Sequence, residues 1–442
     1  MNNASIIGKI LITGELILKS PLLIGDGAGE TADNFKDIHV LKNHDGAPFI
    51  PGTSLCGVLR EYMTGIDEKA VAKLFGDAEK YQSAIQIDDI ELGDYKIISR
   101  DGVKIDGLTG TGIDGGKYDY EAIDRGAKGN LRMLINLRGC HKDENILPTV
   151  EKLLGKLNDG IRLGALTSKG FGLTAAENLT ANFYDFTKKA DVIAWLTDKP
   201  ASKKITPSDK TISDDTKDFI VDAQFKFNSS FIVRDYDVNA AERTKKISAV
   251  SLKSHEDFVI PGTSLKGIFR HRAEKIFRNL KLDEKFLDNL MGFSEGEEKI
   301  KSRFIVSESY IENKNIVEFE HTRNKIDRFT GGTLQGTLFT TKPVYQKNSA
   351  PSLTIHFEIR NAKDFEAGLA IFLLRDLWLG KVAIGGEKGI GRGTVQGISA
   401  EIKFHGKIYT LNENGKVTAG DAKELSKLAA AVQKWGEGEC AD

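Results

Sequence analysis

Two distant stretches of this chain place an apolar residue or glycine at every second position. They are ILITGELIL (10–18) and FIVDAQFKF (219–227), and a two-residue period predicts a strand with one buried and one open face. Each leads through a long polar loop to a Pro-Gly-Thr-Ser sequence, which reads as a turn and a helix N-cap. A helical period then takes over, from about Leu265 to Leu280 in the later stretch. Further helical patterns lie near 146–157, 364–379 and 420–436, with short strand-like runs between them. The order β-α-β-β-α-β therefore occurs twice. It predicts an α+β protein made of two tandem ferredoxin-like (RRM-like) domains.

Internal similarity supports the duplication. FIPGTSLCGVLR (49–60) and VIPGTSLKGIFR (259–270) agree at eight of twelve positions, at an offset of 210. RDGVKIDGLTG (100–110) is answered by RNKIDRFTGG (323–332), with the shared Ile-Asp at an offset of 221. LTSKGFG (166–172) is answered by GGEKGIG (385–391), matched here on Lys169 and Lys388 at an offset of 219. The expected organisation is a first domain over 1–187, a polar tether over 188–217, a second domain over 218–410 and a helical tail over 411–442.

A chain of 442 residues is too long for one ordinary core, which agrees with two domains. The net charge of −1 gives no global basic field, so any nucleic acid must be held by individually placed residues and by neighbouring subunits. Cys56, Cys140 and Cys440 are too far apart in sequence to suggest a zinc site or a disulfide framework. Neither a secretion signal nor a bilayer-spanning apolar run is seen, so a cytoplasmic protein with no membrane partner is expected.

Candidate chemistry clusters in three places. Gly52-Thr53-Ser54 and Gly262-Thr263-Ser264 open helices, whose free N–H groups and positive dipole end suit a phosphate. Basic residues follow them: Arg60 in the first copy, and Lys266, Arg270 and Arg272 in the second, with Lys266 and Arg270 on one helix face. The glycine loops carry Lys169, Lys388 and Arg392, and allow close approach to a backbone phosphate. The acidic loop of the first copy contains Asp26, Asp33, Asp37 and Asp45, which could bind a divalent cation or lie beside a scissile phosphate. A plain helix cap, a solvated charged face and a solvated loop are the ordinary readings of the three. His39 is close to the acidic loop and could assist proton transfer, though a non-catalytic role fits it as well. Gapless alignment of Val40–Pro51 with Val250–Pro261 puts Asp37 opposite Ile247, leaving Asp235 and Asp237 as the nearest acids of the second copy. No P-loop, HExxH or nucleophile-elbow pattern occurs.

These motifs, in this order, resemble the RAMP superfamily and, within it, the backbone subunits of type III CRISPR effector complexes. A two-copy chain is most similar to the fused backbone proteins of the III-D branch. The resemblance rests on IPGTSLxG, RDGVKIDGLTGTG with its continuation GGKYDYEAI, and the KGFG and KGIGRG loops. It implies thumb insertions near 100–126 and 323–345, the latter with Arg323 on the RNA side. The implied partners are CRISPR RNA, single-stranded target RNA and other subunits of the complex. It also implies a loop aspartate, Asp37, that cleaves target RNA with Mg²⁺ or Mn²⁺, with Asp33 and Asp26 as further candidates. A non-catalytic guide-RNA scaffold is the alternative, and a guide-processing endonuclease of the same superfamily is a third reading.

Overall fold

The computed structural model describes residues 5–27, 38–64, 68–77, 82–107, 109–139, 146–207, 217–235, 247–295, 298–311, 313–347 and 352–436. Asp33, Asp37, Asp237, Cys140 and Cys440 lie outside these. The chain divides into two compact units, one ending and the other beginning between residues 207 and 217; Ser168–Gly170 belongs to the second.

In the first unit the sheet contains β1 (Ile6–Leu18), β2 (Ile85–Ile87), β3 (Lys128–Arg138) and β4 (Leu173–Asp185). Their spatial order is β4-β1-β3-β2, all antiparallel. Helices α1 (Gly52–Met63) and α2 (Ile146–Asp159) supply the other layer. Ile10, Ile12, Leu16 and Leu18 of β1 are buried with Leu55 and Leu59 of α1 and with Val150, Leu153 and Leu157 of α2, so the alternation of the strand meets the helical stripes in one core.

The second unit repeats this plan with β5 (Phe219–Phe227), α3 (Gly262–Leu280), β6 (Phe304–Val306), β7 (Leu353–Ile359), α4 (Asp364–Trp378) and β8 (Val395–Phe404). The order is β8-β5-β7-β6, again antiparallel. Both units are thus ferredoxin-like, each with strand order 4-1-3-2. Phe219, Val221, Ala223, Phe225 and Phe227 all face the second core, which explains the two-residue period of that stretch.

Two local expectations, the helix caps and the tether, need correction, and the helical tail docks on the second unit. Both helices begin at the glycine with Pro51 or Pro261 as N-cap, and no side chain caps either; the Thr and Ser lie inside the first turn. Proline fits because its fixed φ, −60° at Pro51 and −61° at Pro261, suits the extended cap conformation. Residues 188–205, expected as tether, instead fold on the first unit. Lys189–Leu196 is helical, Asp191 is buried, Trp195 packs edge-on against Tyr184, and Lys203–Lys204 pairs with β4. Beyond residue 411 the chain stays in the second unit. Helix Ala422–Gly436 buries Leu425, Leu428 and Val432 in that core. It crosses α4 at Gly368, where a Cβ would stand 2.1 Å from the Leu428 carbonyl oxygen, so only glycine admits the crossing.

Each unit also carries an insertion between its second and third sheet strands. In the first it is a long hairpin, Ile97–Ile105 paired with Gly112–Ile123. In the second, His321–Arg323 pairs with Phe339–Thr341, and an Ile326–Thr333 bridge continues toward the tip.

Candidate nucleic-acid interface

The Ile-Asp motif forms the tips of these hairpins. Asp106 accepts the Thr109 N–H and hydroxyl at 2.7 and 2.9 Å, while Gly110 N–H donates to the Asp106 carbonyl at 2.9 Å. Asp327 accepts the N–H groups of Phe329 and Thr330 at 2.8 and 2.9 Å, and Gly331 N–H donates to its carbonyl at 2.9 Å. These backbone bonds from Thr330 and Phe329 hold the Asp327 carboxyl below its usual range. Both turns end at a glycine with φ of +70°, Gly110 and Gly331, a backbone shape that glycine adopts readily. The aspartate and glycine of each motif therefore encode a preformed turn. In the second unit the turn presents Phe329, 99% exposed, with Ile326, Leu338 and Phe339 also open to solvent. Sequence reading found the motif but missed Phe329 as the residue on display.

The helix starts are less open to phosphate than the sequence suggests. Gly52 is enclosed, and its N–H donates to Asp89 Oδ1 at 2.7 Å. A Cβ there would stand 2.2 Å from the Ile87 carbonyl oxygen. Ser54 and Leu55 donate to the Pro51 carbonyl, at 2.9 and 3.2 Å. Thr53 is exposed. Gly262 is similarly enclosed, 2.3 Å from the Lys169 carbonyl oxygen if given a Cβ, with Thr263 and Ser264 half-buried. A carboxylate and a carbonyl thus fill part of the space a phosphate would take.

The paired cations of α3 do not face a strand. Lys266 is 6% exposed, its amine donating to the hydroxyls of Ser168 and Ser302 at 2.8 and 2.7 Å. Burial, reinforced by Lys169 and Arg270, pushes this amine down to about 7. Arg270 donates to Asp288, to Glu274 at 3.2 Å and to the Gly292 carbonyl at 2.7 Å. Arg272 binds Asp376 at 2.6 Å. Arg60, at the first-copy position of Arg270, is exposed and makes no ion pair among the described residues.

The glycine loops are equivalent, but their register differs from the match on lysine. Gly172 and Gly393 have φ of +76° and +80°, and a Cβ on either would lie 1.9 Å from a carbonyl oxygen, that of Leu163 or Ile384. Leu163 N–H bonds the Gly172 carbonyl at 2.9 Å, and Ile384 N–H bonds the Gly393 carbonyl at 2.8 Å. Leu166 and Glu387 share a left-handed φ, 56° and 57°. These pairs all stand 221 residues apart, the offset of the Ile-Asp motif. Lys169 and Lys388 are consequently not equivalents: Lys169 is half-buried and Lys388 exposed, although desolvation lowers both amines. Phe171 and Arg392 occupy equivalent buried positions, each in its own unit. Arg392, 3% exposed, donates to Ser230 Oγ at 2.9 Å and His321 Nδ1 at 2.6 Å, and pairs with Glu387 at 2.8 Å. Arg323 also binds Glu387, and Arg234 does so at 3.0 Å. Neither Arg392 nor Arg323 is a loose surface cation; both anchor the glycine loop to the hairpin base.

On the first unit, the strand leaving the acidic loop forms an open hollow of about 340 Å³ lined by Asp26, His39, Val40, Leu41 and Lys42. Asp26 is exposed, and its N–H donates to the His39 carbonyl at 3.2 Å. The gapless alignment of this strand needs correction. Leu41 N–H donates to the Ile24 carbonyl at 2.8 Å as Leu252 N–H does to that of Val233 at 2.8 Å, and Ile38 and Ala249 accept from the two hairpins. This offset of 211 puts Ser248, not Ile247, just before the counterpart of Ile38. Ser248 is exposed and its hydroxyl donates to the Thr340 carbonyl at 3.0 Å, while Ile247 beside it is 4% exposed, so neither residue of the second strand offers a carboxylate there. Among the described residues no group of three or more His, Cys, Asp or Glu side chains could hold a metal ion. The described side of the hollow therefore does not by itself fit a divalent cation.

No helix among the described residues is long and apolar enough to cross a membrane. Comparison with curated proteins gave no match. The RAMP superfamily model matches residues 15–175 and 213–396, one segment on each repeat, and so the chain belongs to the RAMP superfamily, which includes CRISPR-associated RNA-binding subunits.

Proposed function

We propose that this protein is a backbone subunit of a type III CRISPR ribonucleoprotein, binding guide CRISPR RNA and cleaving complementary target RNA at the acidic loop of its first repeat. The observation that carries the reading is the pair of shaped tips on two ferredoxin-like units, one of them displaying Phe329. An apolar wedge of this kind separates stacked bases and leaves a target nucleotide unpaired. Exposed cations such as Arg60 and Lys388 contact backbone phosphates. The other subunits of the complex add the positive charge that a chain of net charge −1 lacks.

In the proposed cleavage the 2′-hydroxyl of the unpaired target nucleotide attacks its own phosphate. Asp37 positions that hydroxyl and takes its proton. The phosphorus–O5′ bond breaks, and the leaving oxygen is protonated from solvent. The products are a 2′,3′-cyclic phosphate and a 5′-hydroxyl. A bound divalent ion, Mg²⁺ or Mn²⁺, would neutralise phosphate charge, and Asp37 would hold it.

With Ile247 and Ser248 where the first repeat has its aspartate, the second repeat is left as a holder of guide RNA. In an assembled complex, Asp37→Ala should remove one target cut and leave target binding intact. Unchanged fragments would take Asp37 out of the mechanism. Absence of any fragment from the native complex with Mg²⁺ or Mn²⁺ would leave the scaffold reading.

A further inference from the structure

Glu121 of the hairpin holds the strand that follows the acidic loop from one side. Glu121 lies on the returning strand Gly112–Ile123, and its N–H donates to the Ile38 carbonyl at 3.0 Å. Its carboxylate is 13% exposed and turned onto the same segment. Oε2 accepts the Val40 N–H at 3.4 Å and stands 3.4 Å from His39 Nδ1 and 3.9 Å from Lys42 Nζ. Main chain and side chain of one residue thus engage Ile38, His39, Val40 and Lys42, four of the five positions from Ile38 to Lys42. The neighbouring rung, Ile38 bridged to Tyr120, fixes the register.

The second repeat lacks this carboxylate. The matching rung is made by Lys342, whose N–H donates to the Ala249 carbonyl at 3.1 Å and which stands 221 residues after Glu121. The repeat with an aspartate before the strand therefore has an acid on the hairpin, and the repeat with Ser248 at that place has a base.

We infer that Glu121 is a positioning residue for target cleavage: it couples the thumb hairpin to Ile38–Lys42 and so sets where the preceding loop delivers its carboxylate. The inference rests on the cleavage reading above. A carboxylate gripping a backbone N–H and two basic side chains fixes a segment more firmly than a neutral acceptor can. When the hairpin lodges between target bases, the loop end is carried with it. Binding needs none of this, because Glu121 faces its own chain.

The test is an assembled complex carrying Glu121→Ala, Glu121→Gln or Asp37→Ala, cutting a labelled target RNA. Glu121→Ala should slow the first-repeat cut at saturating target by roughly 10- to 100-fold, the range for residues that orient a reacting group. The target concentration for half-maximal rate should not move. Glu121→Gln, which can still accept the Val40 N–H, should fall between. Hydrogen exchange at the Val40 amide should quicken in the same order, giving a readout independent of cutting. A wild-type rate for Glu121→Ala beside a dead Asp37→Ala overturns this inference alone. Retained cutting in Asp37→Ala overturns the cleavage reading and this inference with it. Loss of guide or target binding in Glu121→Ala reduces the residue to a structural role and overturns it as well.

Discussion

The two repeats close the same backbone loop with opposite chemistry. In the first, Phe171 (1% exposed) packs with Leu23, Tyr120 and Ala122, and Leu166 covers them. In the second, the corresponding slot holds Arg392, and Glu387 stands where Leu166 does, joined by Arg323 and Arg234. The main chain is indifferent to the exchange, since the same glycines and carbonyl bonds shape both loops. Side chains decide what each loop tolerates. An apolar plug can be trimmed at the expense of a cavity, whereas an ionic one fails as a set if a single member goes.

The sharpest way to break the comparison is to remove one member of each plug. Phe171→Ala should destabilise the first unit by about 3–5 kcal/mol through lost burial and a cavity. Glu387→Ala should cost the second unit about 3–5 kcal/mol, because it leaves Arg392 buried without its counter-charge. Denaturant melts resolving the two units would check both, and a loss confined to the other unit would refute the assignment.

A pH titration should separate the repeats next. His356 of β7 stands across from Asp222 of β5 at 2.8 Å, where the first repeat pairs Arg132 with Thr13. Burial alone would lower this imidazole, but the hydrogen bond it makes to the Asp222 carboxylate and the nearby Glu358 carboxylate, 3.9 Å away, outweigh it and raise it to about 9. A raised histidine stabilises the fold fully below its ordinary value, about 6.5, and the contribution fades as pH climbs through 9. The second unit should therefore soften between those values, and His356→Gln should flatten that slope. A slope unchanged by the substitution would exclude His356 as its source.

The smallest expected effects concern the paired arginines. Arg60→Ala should shift stability by no more than about 0.5 kcal/mol. In the assembled complex it should also make the salt dependence of guide-RNA binding shallower by about one ion. Arg270→Ala should do the reverse, costing stability through Asp288 and Glu274 while leaving the salt dependence alone. Equal salt slopes for the two variants would remove Arg60 from the RNA surface.

Periodicity carried the fold well. FIVDAQFKF is a strand over the expected residues 219–227, and the helices near 146 and 364 begin where the pattern begins. Strand and helix patterns report burial on one face, and burial is what the sheet and its helices impose. The candidate site was less legible, because a cation's sequence does not reveal its counter-ion. Lys266 and Arg270 share a helix face as expected, but that face meets Ser302 and Asp288 rather than solvent. The lysines of the glycine loops misled for a related reason. Lysine stands out to the eye, whereas the loop register is set by Gly172 and Gly393, whose positive φ admits little else. Glu121 gave no signal in its own neighbourhood, since its partners lie about eighty residues earlier in the chain.

The aspartate turns at the hairpin tips have a thermodynamic consequence. A finger that became rigid only on meeting RNA would surrender chain entropy at that moment, weakening every contact it makes. Asp106 and Asp327 meet that cost during folding, through bonds to their own neighbours. The guide and target thus encounter an object already in shape, and discrimination can rest on what fits around it.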